Sequence, residues 1–89
     1  MKVKKISGIF EAMQLTEDAD YTEVAAWCGG EVIHTYIIGT EKPITNLSTL
    51  LANKMRIVPV SWWIIRDETK VIDVCMDTEF KDRYEPVTE

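Results

Sequence analysis

The chain has 89 residues, enough for one domain with a single core over residues 1–89. Fifteen acidic and ten basic residues give a formal charge of −5, which argues against direct binding to nucleic acid or to an anionic membrane. No apolar run approaches the roughly 18 residues of a membrane span, and the basic start has no signal-peptide hydrophobic region, so we expect a cytoplasmic protein.

The first third of the chain predicts a strand and a short helix. Residues 3–15 are rich in apolar side chains and contain Gly8, which predicts one strand with a bend or bulge at that glycine. In residues 20–28, apolar residues recur at helical spacing, and Asp20 can cap the first turn. The pair Gly29–Gly30 is expected to end this helix, because glycine adopts the left-handed cap conformation without steric cost.

The middle of the chain predicts further strands. Residues 31–38 are β-branched and aromatic, which is typical of a strand, and a turn or loop is expected at 39–43. Residues 44–51 contain leucines at helical spacing, but their threonines favour a strand. Together with residues 55–58, they predict two strands around a turn at 52–54.

The last third predicts a hairpin and a second helix. Residues 62–75 form the hairpin, with regular alternation through 71–75, and its apolar face is expected to pack on the first helix. Asp77 is predicted to cap a helix that buries Phe80 and Tyr84. The resulting order predicts an α+β domain with a small, curved antiparallel sheet and two short helices. Closure toward a half-barrel would limit the exposed edges.

Four stretches, in order, resemble a widespread group of small proteins encoded by bacteriophages and prophages. The stretches are IFEAMQL (9–15), VAAWCGGEVI (24–33), WIIRDE (63–68) and EFKDRYEPV (79–87). The resemblance is weak over residues 39–57. It implies a phage origin and a shared fold, and it carries no catalytic residues. The residues that match the group's pattern are expected to be structural: Trp27, Cys28, Gly29, Gly30, Trp63, Phe80 and Tyr84.

Two adjacent tryptophans in the hairpin raise a question, because neighbours in a strand point to opposite faces. Trp63 stands where the phage group carries its tryptophan, so we expect it in the core. The group tends to have Gly-Asp before that tryptophan, whereas this chain has Ser61 and Trp62. A tryptophan at a polar site predicts a contact surface at Trp62, with Tyr36 as a neighbour. In the alternative, residues 84–87 fold over Trp62.

Groups suited to catalysis or metal binding are few. General acid–base and nucleophilic chemistry need a positioned partner, and the single histidine, His34, lies within a predicted strand. The two cysteines, Cys28 and Cys75, lack the paired spacing of a zinc module and are typical of small buried side chains in a reducing compartment. No glycine-rich phosphate loop precedes a helix. We therefore expect a protein that is not an enzyme and has no cofactor and no metal ion.

Acidic residues crowd the C-terminal third of the chain, interleaved with basic ones. Mixed charge is typical of a solvated surface, but an acidic surface can also imitate nucleic acid and dock on a basic protein. The candidate binding residues are Trp62, Tyr36, Asp67 and Glu68.

Two short helices can hardly cover both faces of a sheet, so apolar strand surface is left over and predicts association, with a second copy or with a partner. Together with the phage resemblance, this suggests an accessory protein that binds and modulates a host or anti-phage defence protein in the host cytoplasm. Two alternatives stay open. The protein is an oligomeric component of the virion or its assembly, or it is a sponge that holds a nucleotide ligand between subunits.

Overall fold

The computed structural model describes residues 1–5, 8–36, 38–39 and 44–87, which form two antiparallel sheets and two helices. The strands are β1 (Lys2–Lys5), β2 (Gly8–Gln14), β3 (Glu31–Thr35), β4 (Ile44–Leu51), β5 (Lys54–Val58), β6 (Trp63–Arg66), β7 (Val71–Cys75) and β8 (Glu85–Pro86). The helices are α1 (Tyr21–Cys28) and α2 (Asp77–Arg83). The predicted α+β class with two short helices is confirmed.

The strands form two sheets rather than one. The larger sheet has the order β7-β6-β2-β1-β8, and the smaller one has the order β3-β4-β5. The larger sheet is open, with β7 and β8 as its edges, so it does not close into a barrel. Residues 40–43 of the predicted loop lie outside the described residues. In the described part of the chain, no helix is long and apolar enough to cross a membrane.

The N-terminal segment forms a hairpin, so the prediction of one bulged strand is wrong. Strands β1 and β2 pair antiparallel, with Lys2 opposite Glu11 and Lys5 opposite Gly8. Gly8 opens β2 with a φ of 147°, a backbone conformation that side chains with a Cβ rarely adopt. Apolar residues occur on both sides of the reversal, with Val3 among the lysines of β1 and Ile9 and Phe10 in β2, so the sequence was interpreted as one strand.

Helix α1 begins and ends as predicted. A carboxylate oxygen of Asp20 accepts hydrogen bonds from the backbone N–H groups of Thr22 and Glu23, which satisfies two donors that the first helical turn leaves free. At the other end Gly29 adopts the left-handed conformation with a φ of 70°. Gly30 has a different role, because a Cβ there would lie 2.1 Å from the carbonyl oxygen of Ser48 in β4.

Two buried clusters lie on opposite faces of the five-stranded sheet. The first core joins α1 and the three-stranded sheet to this sheet and contains Leu15, Val24, Ala25, Leu47, Val58, Ile64 and Val71. The second core lies under α2 and contains Val3, Ala12, Ile65, Cys75, Phe80 and Tyr84. The predicted packing of the hairpin on the first helix is confirmed by the first core.

The β6–β7 hairpin contains a bulge that the sequence pattern does not reveal. Ile65 pairs with Asp73, whereas Arg66 pairs with Val71, so β7 has one extra residue between these two pairs. Regular alternation through 71–75 is therefore wrong. The bulge turns Val71 onto the first core, while Asp73 faces the second core and accepts a hydrogen bond there.

Helix α2 begins at Asp77, but Asp77 is not its cap. Met76 occupies the N-cap position and makes no capping hydrogen bond with its side chain. The carboxylate of Asp77 instead accepts a hydrogen bond from the indole N–H of Trp63 at 2.9 Å. Phe80 and Tyr84 are buried, as predicted.

Candidate binding groove

The structure does not bring the four candidate binding residues to one place. Asp67 and Glu68 line a groove of about 820 Å³ at one end of the five-stranded sheet. Tyr36 directly follows β3 and is 78% exposed. Trp62 is half-buried and packs against the first core. The predicted surface is therefore divided between three parts of the molecule.

Trp62 lies before β6 rather than inside it. Its backbone carbonyl accepts a hydrogen bond from the N–H of Leu15 at 2.9 Å, and the N–H of Ser61 donates to the carbonyl of Leu15 at 2.6 Å. These bonds hold the Trp62 side chain against the first core. Tyr84 belongs to the second core, so the alternative that the C-terminal segment covers Trp62 is not what the structure shows.

Trp63 packs on the other face of the sheet, in a row of aromatic rings. Its ring lies parallel to that of Phe80, with centroids 3.9 Å apart and an interplanar angle of 4°. The Phe80 ring lies 5.5 Å from that of Tyr84, whose hydroxyl donates to Asp73 at 2.9 Å. Burial is the main cause that raises the pKa of Tyr84 above its usual value. This row fixes α2 on the sheet and is a structural feature.

The floor of the groove is a row of charges across three neighbouring strands. Glu11 in β2 pairs with Lys2 in β1 on one side and with Arg66 in β6 on the other. Residues that pair directly across strands have their side chains on the same face, so the negative charge lies between two positive ones. Sequence reasoning missed these residues because strand pairing, not sequence spacing, brings them together.

Arg66 connects the groove to the end of α1. Its guanidinium carbon lies 5.2 Å from the centroid of the Trp27 ring, within the range of a cation–π interaction. The same guanidinium donates a hydrogen bond to the backbone carbonyl of Trp27. These two contacts hold the guanidinium of Arg66 against the C-terminal end of α1.

The remaining lining of the groove is apolar and acidic. Ile9 is 64% exposed, although it is a large aliphatic residue, whereas the neighbouring Phe10 packs against the second core. Glu68 is exposed at the turn between β6 and β7. The groove thus offers an apolar contact next to a solvated carboxylate, an arrangement suited to a ligand with both apolar and basic groups.

Asp67 stabilises the turn that presents Glu68. One of its carboxylate oxygens accepts hydrogen bonds from the backbone N–H groups of Thr69 and Lys70 and from the Thr69 hydroxyl. These bonds, the one from the Thr69 N–H first, lower the pKa of Asp67 below its usual value of 3.8. Of the two acids predicted at this turn, Glu68 is the one available to a ligand.

The histidine and the two cysteines lie in separate surroundings. His34 is exposed, with Nδ1 3.1 Å from the hydroxyl of Thr45. The Cys28 thiol donates to the carbonyl of Ala25 at 3.8 Å, and burial is the main cause that raises the pKa of the Cys75 thiol to about 11. Within the described residues, no group of three or more histidine, cysteine or acidic side chains is arranged to hold a metal ion.

No family model, curated protein or solved structure matches this chain.

Proposed function

We propose that this chain is a non-enzymatic accessory protein of phage or prophage origin that binds and modulates a host or anti-phage defence protein in the host cytoplasm. The observation that supports it best is the groove, which exposed Ile9 and exposed Glu68 line together. An exposed aliphatic side chain next to a solvated carboxylate can receive the stem and the charge of a basic side chain from a partner protein. The phage origin rests on the resemblance of four sequence stretches.

The charge of the chain favours a basic partner. Its formal charge is −5, so long-range electrostatics speed encounter with a positively charged surface and oppose encounter with an acidic one. Once the partner is bound, Glu68 is placed to pair with a lysine or arginine, and Ile9 contacts the aliphatic part of its side chain. Binding of this kind weakens as salt concentration rises.

The reactive side chains support a non-enzymatic role. With a pKa raised to about 11, the Cys75 thiol is protonated at neutral pH, and the thiolate is the form that acts as a nucleophile. The Thr45 hydroxyl, which lies 3.1 Å from Nδ1 of His34, is not an acid that would orient an imidazole for catalysis. Both side chains therefore fit structural positions better than catalytic ones.

The test is affinity capture from phage-infected host cells with a pair of matched variants. Glu68→Lys and Glu17→Lys each change the formal charge by +2, and both residues are exposed, but only Glu68 lines the groove. We expect a host protein that the parent chain captures to be lost with Glu68→Lys and retained with Glu17→Lys. Ile9→Lys is expected to abolish capture as well.

Two outcomes would contradict the proposal. If Glu17→Lys abolished capture as completely as Glu68→Lys, binding would depend on net charge and the groove would not be the site. If the parent captured no protein at stoichiometric amounts but was abundant in purified virions, the chain would be an assembly component. A further observation favours that second role, because five large aliphatic side chains are exposed on the three-stranded sheet.

A further inference from the structure

The two faces of the three-stranded sheet differ in exposure. Leu47 pairs with Val32 on one side and with Val58 on the other, and this row lies on the inner face, toward the first core. The next row pairs Ser48 with Glu31 and Ile57 and therefore lies on the opposite face. The outer face, as defined by this alternation, consists of Glu31, Ile33, Thr35, Ile44, Asn46, Ser48, Leu50, Met55 and Ile57.

The outer face leaves much of its apolar side-chain surface exposed to solvent. Its five large aliphatic side chains are between 39% and 59% exposed. The members of this set are Ile33, Ile44, Leu50, Met55 and Ile57. They come from all three strands, and Asn46 and the buried Ser48 lie between Ile33 and Ile44 at one end and the other three at the other end. Groups of exposed apolar side chains on a protein surface mark sites of association.

The charge of the three-stranded sheet indicates which kind of partner would cover the outer face. Glu31 is the one charged residue on the outer face. Residues 31–58 contain two acidic and three basic residues, a charge of +1, so the rest of the chain carries −6. The acidic charge that would drive two copies apart is thus concentrated elsewhere. A strongly basic or acidic partner would find almost no countercharge here, whereas a second copy presents the same uncharged apolar surface.

We propose that two copies of this chain associate through their outer faces, which pack against each other as two sheets of a sandwich. Strand spacing and rise give the outer face dimensions of about 27 by 14 Å. Two such faces cover about 760 Å² in total, which is below the usual size of specific interfaces, so we expect a weak dimer with a dissociation constant on the order of 100 µM.

This inference goes beyond the proposed function, because the groove and the outer face lie on different sheets. The groove is built from β1, β2, β6 and the turn after β6, while the outer face belongs to β3, β4 and β5. A dimer formed in this way leaves both grooves open and holds two of them in one particle. Binding to an oligomeric partner then gains from multivalency.

The test is sedimentation velocity over a concentration series from about 5 to 500 µM, a range chosen to span the expected dissociation constant. The parent is expected to show an average mass that rises from 10.2 kDa toward twice that value. Ile57→Lys should raise the dissociation constant at least tenfold. Ile9→Lys is the matched control, because it adds the same charge at a residue of similar exposure, and its dissociation constant should equal the parent's.

A second variant and two further measurements keep the test decisive if Ile57→Lys disturbs the fold. Met55→Thr retains high strand propensity and should weaken association several-fold with an unchanged circular dichroism spectrum. In the parent, concentration-dependent amide shifts in NMR should fall in β3, β4 and β5. Added salt should leave association unchanged or strengthen it, because it screens the repulsion between two chains of charge −5.

Three results would overturn the inference: a parent that is monomeric at 500 µM, equal weakening by Ile9→Lys and Ile57→Lys, or amide shifts confined to the groove. Partner capture separates this inference from the proposed function. If Ile57→Lys abolished dimerisation and still captured the partner, the two surfaces would be independent. If Glu68→Lys abolished capture and the dimer persisted, the same conclusion would hold.

Discussion

Truncation of Trp63 to alanine is expected to remove a large part of the stability of this domain. The indole ring lies 3.9 Å from the Phe80 ring in a nearly parallel stack, and its N–H donates to Asp77 at 2.9 Å. Replacement of a buried aromatic residue by alanine costs about 3–5 kcal/mol. Because Trp63 keeps part of its surface in water, we expect a value near the lower end, about 3 kcal/mol.

A loss of this size is easily measured in a chain of 89 residues. Domains of this length are stable by about 4–13 kcal/mol in total, and each kcal/mol shifts the melting temperature by about 4–8 °C. Trp63→Ala should therefore melt at least about 12 °C below the parent. Thermal and urea unfolding, followed by circular dichroism, gives both the melting temperature and the free energy of unfolding.

Two further variants test the hydrogen bond of Trp63 and the packing of Trp62. Trp63→Phe keeps an aromatic ring on Phe80 but loses the hydrogen bond to Asp77, so it should cost about 1 kcal/mol. Trp62→Ser removes half-buried surface from the first core and should cost about 2 kcal/mol, whereas a Trp62 that served only as a contact surface would leave the melting temperature nearly unchanged. If Trp63→Ala melted within 3 °C of the parent, the stack would contribute nothing and the assignment of the second core would be wrong.

Two further predictions concern backbone packing and acid stability. Gly30→Ala should destabilise the domain more than Gly29→Ala, as urea unfolding can show, because a Cβ at Gly30 would lie 2.1 Å from a backbone oxygen of Ser48 while one at Gly29 meets nothing within 4 Å. The pKa of Asp67 is lowered by backbone hydrogen bonds, and that of Asp77 by the indole hydrogen bond. A carboxyl whose pKa is lowered by folding stabilises the fold above its unfolded-state pKa, and that contribution is lost as pH falls through the folded-state pKa. The free energy of unfolding should thus decline as the pH drops below 3.8, the usual pKa of these carboxyls, and Asp77→Asn should make the decline shallower; a flat profile in the parent would contradict this.

Local signals predicted those elements whose causes are local. Asp20 and Gly29 lie within a few residues of the helix ends that they satisfy, so α1 could be predicted with its caps. The β4–β5 hairpin was predicted for a similar reason. Ala52 and Asn53 both adopt positive φ values at its turn, and β4, which contains the threonines, pairs directly with β5 with no residue left over.

The features that could not be predicted from the sequence depend on contacts between distant residues. Asp77 has the residue type and the position of a helix cap, but its carboxylate instead accepts a hydrogen bond from the Trp63 indole, 14 residues away. The bulge in β7 turns Val71 and Asp73 toward different cores, and the reversal after β1 lies in a stretch with apolar residues on both sides. The groove combines residues that are adjacent in sequence with residues that only strand pairing brings together. Asp67 and Glu68 are adjacent in sequence and were predicted together, whereas Lys2 and Arg66 meet only through pairing with β2.

The five-stranded sheet also explains why two adjacent tryptophans do not form a binding surface. Because a core lies on each of its faces, the Trp63 ring stacks under α2 while Trp62, held to the end of β2, packs on the first core. Both aromatic side chains therefore act in folding, and neither is free to anchor a partner without loss of stability. The apolar surface left over lies instead on β3, β4 and β5, which the two helices do not cover on the outer face. Substitutions at Ile57 should therefore alter association and leave the melting temperature nearly unchanged, while substitutions at Trp62 should do the reverse.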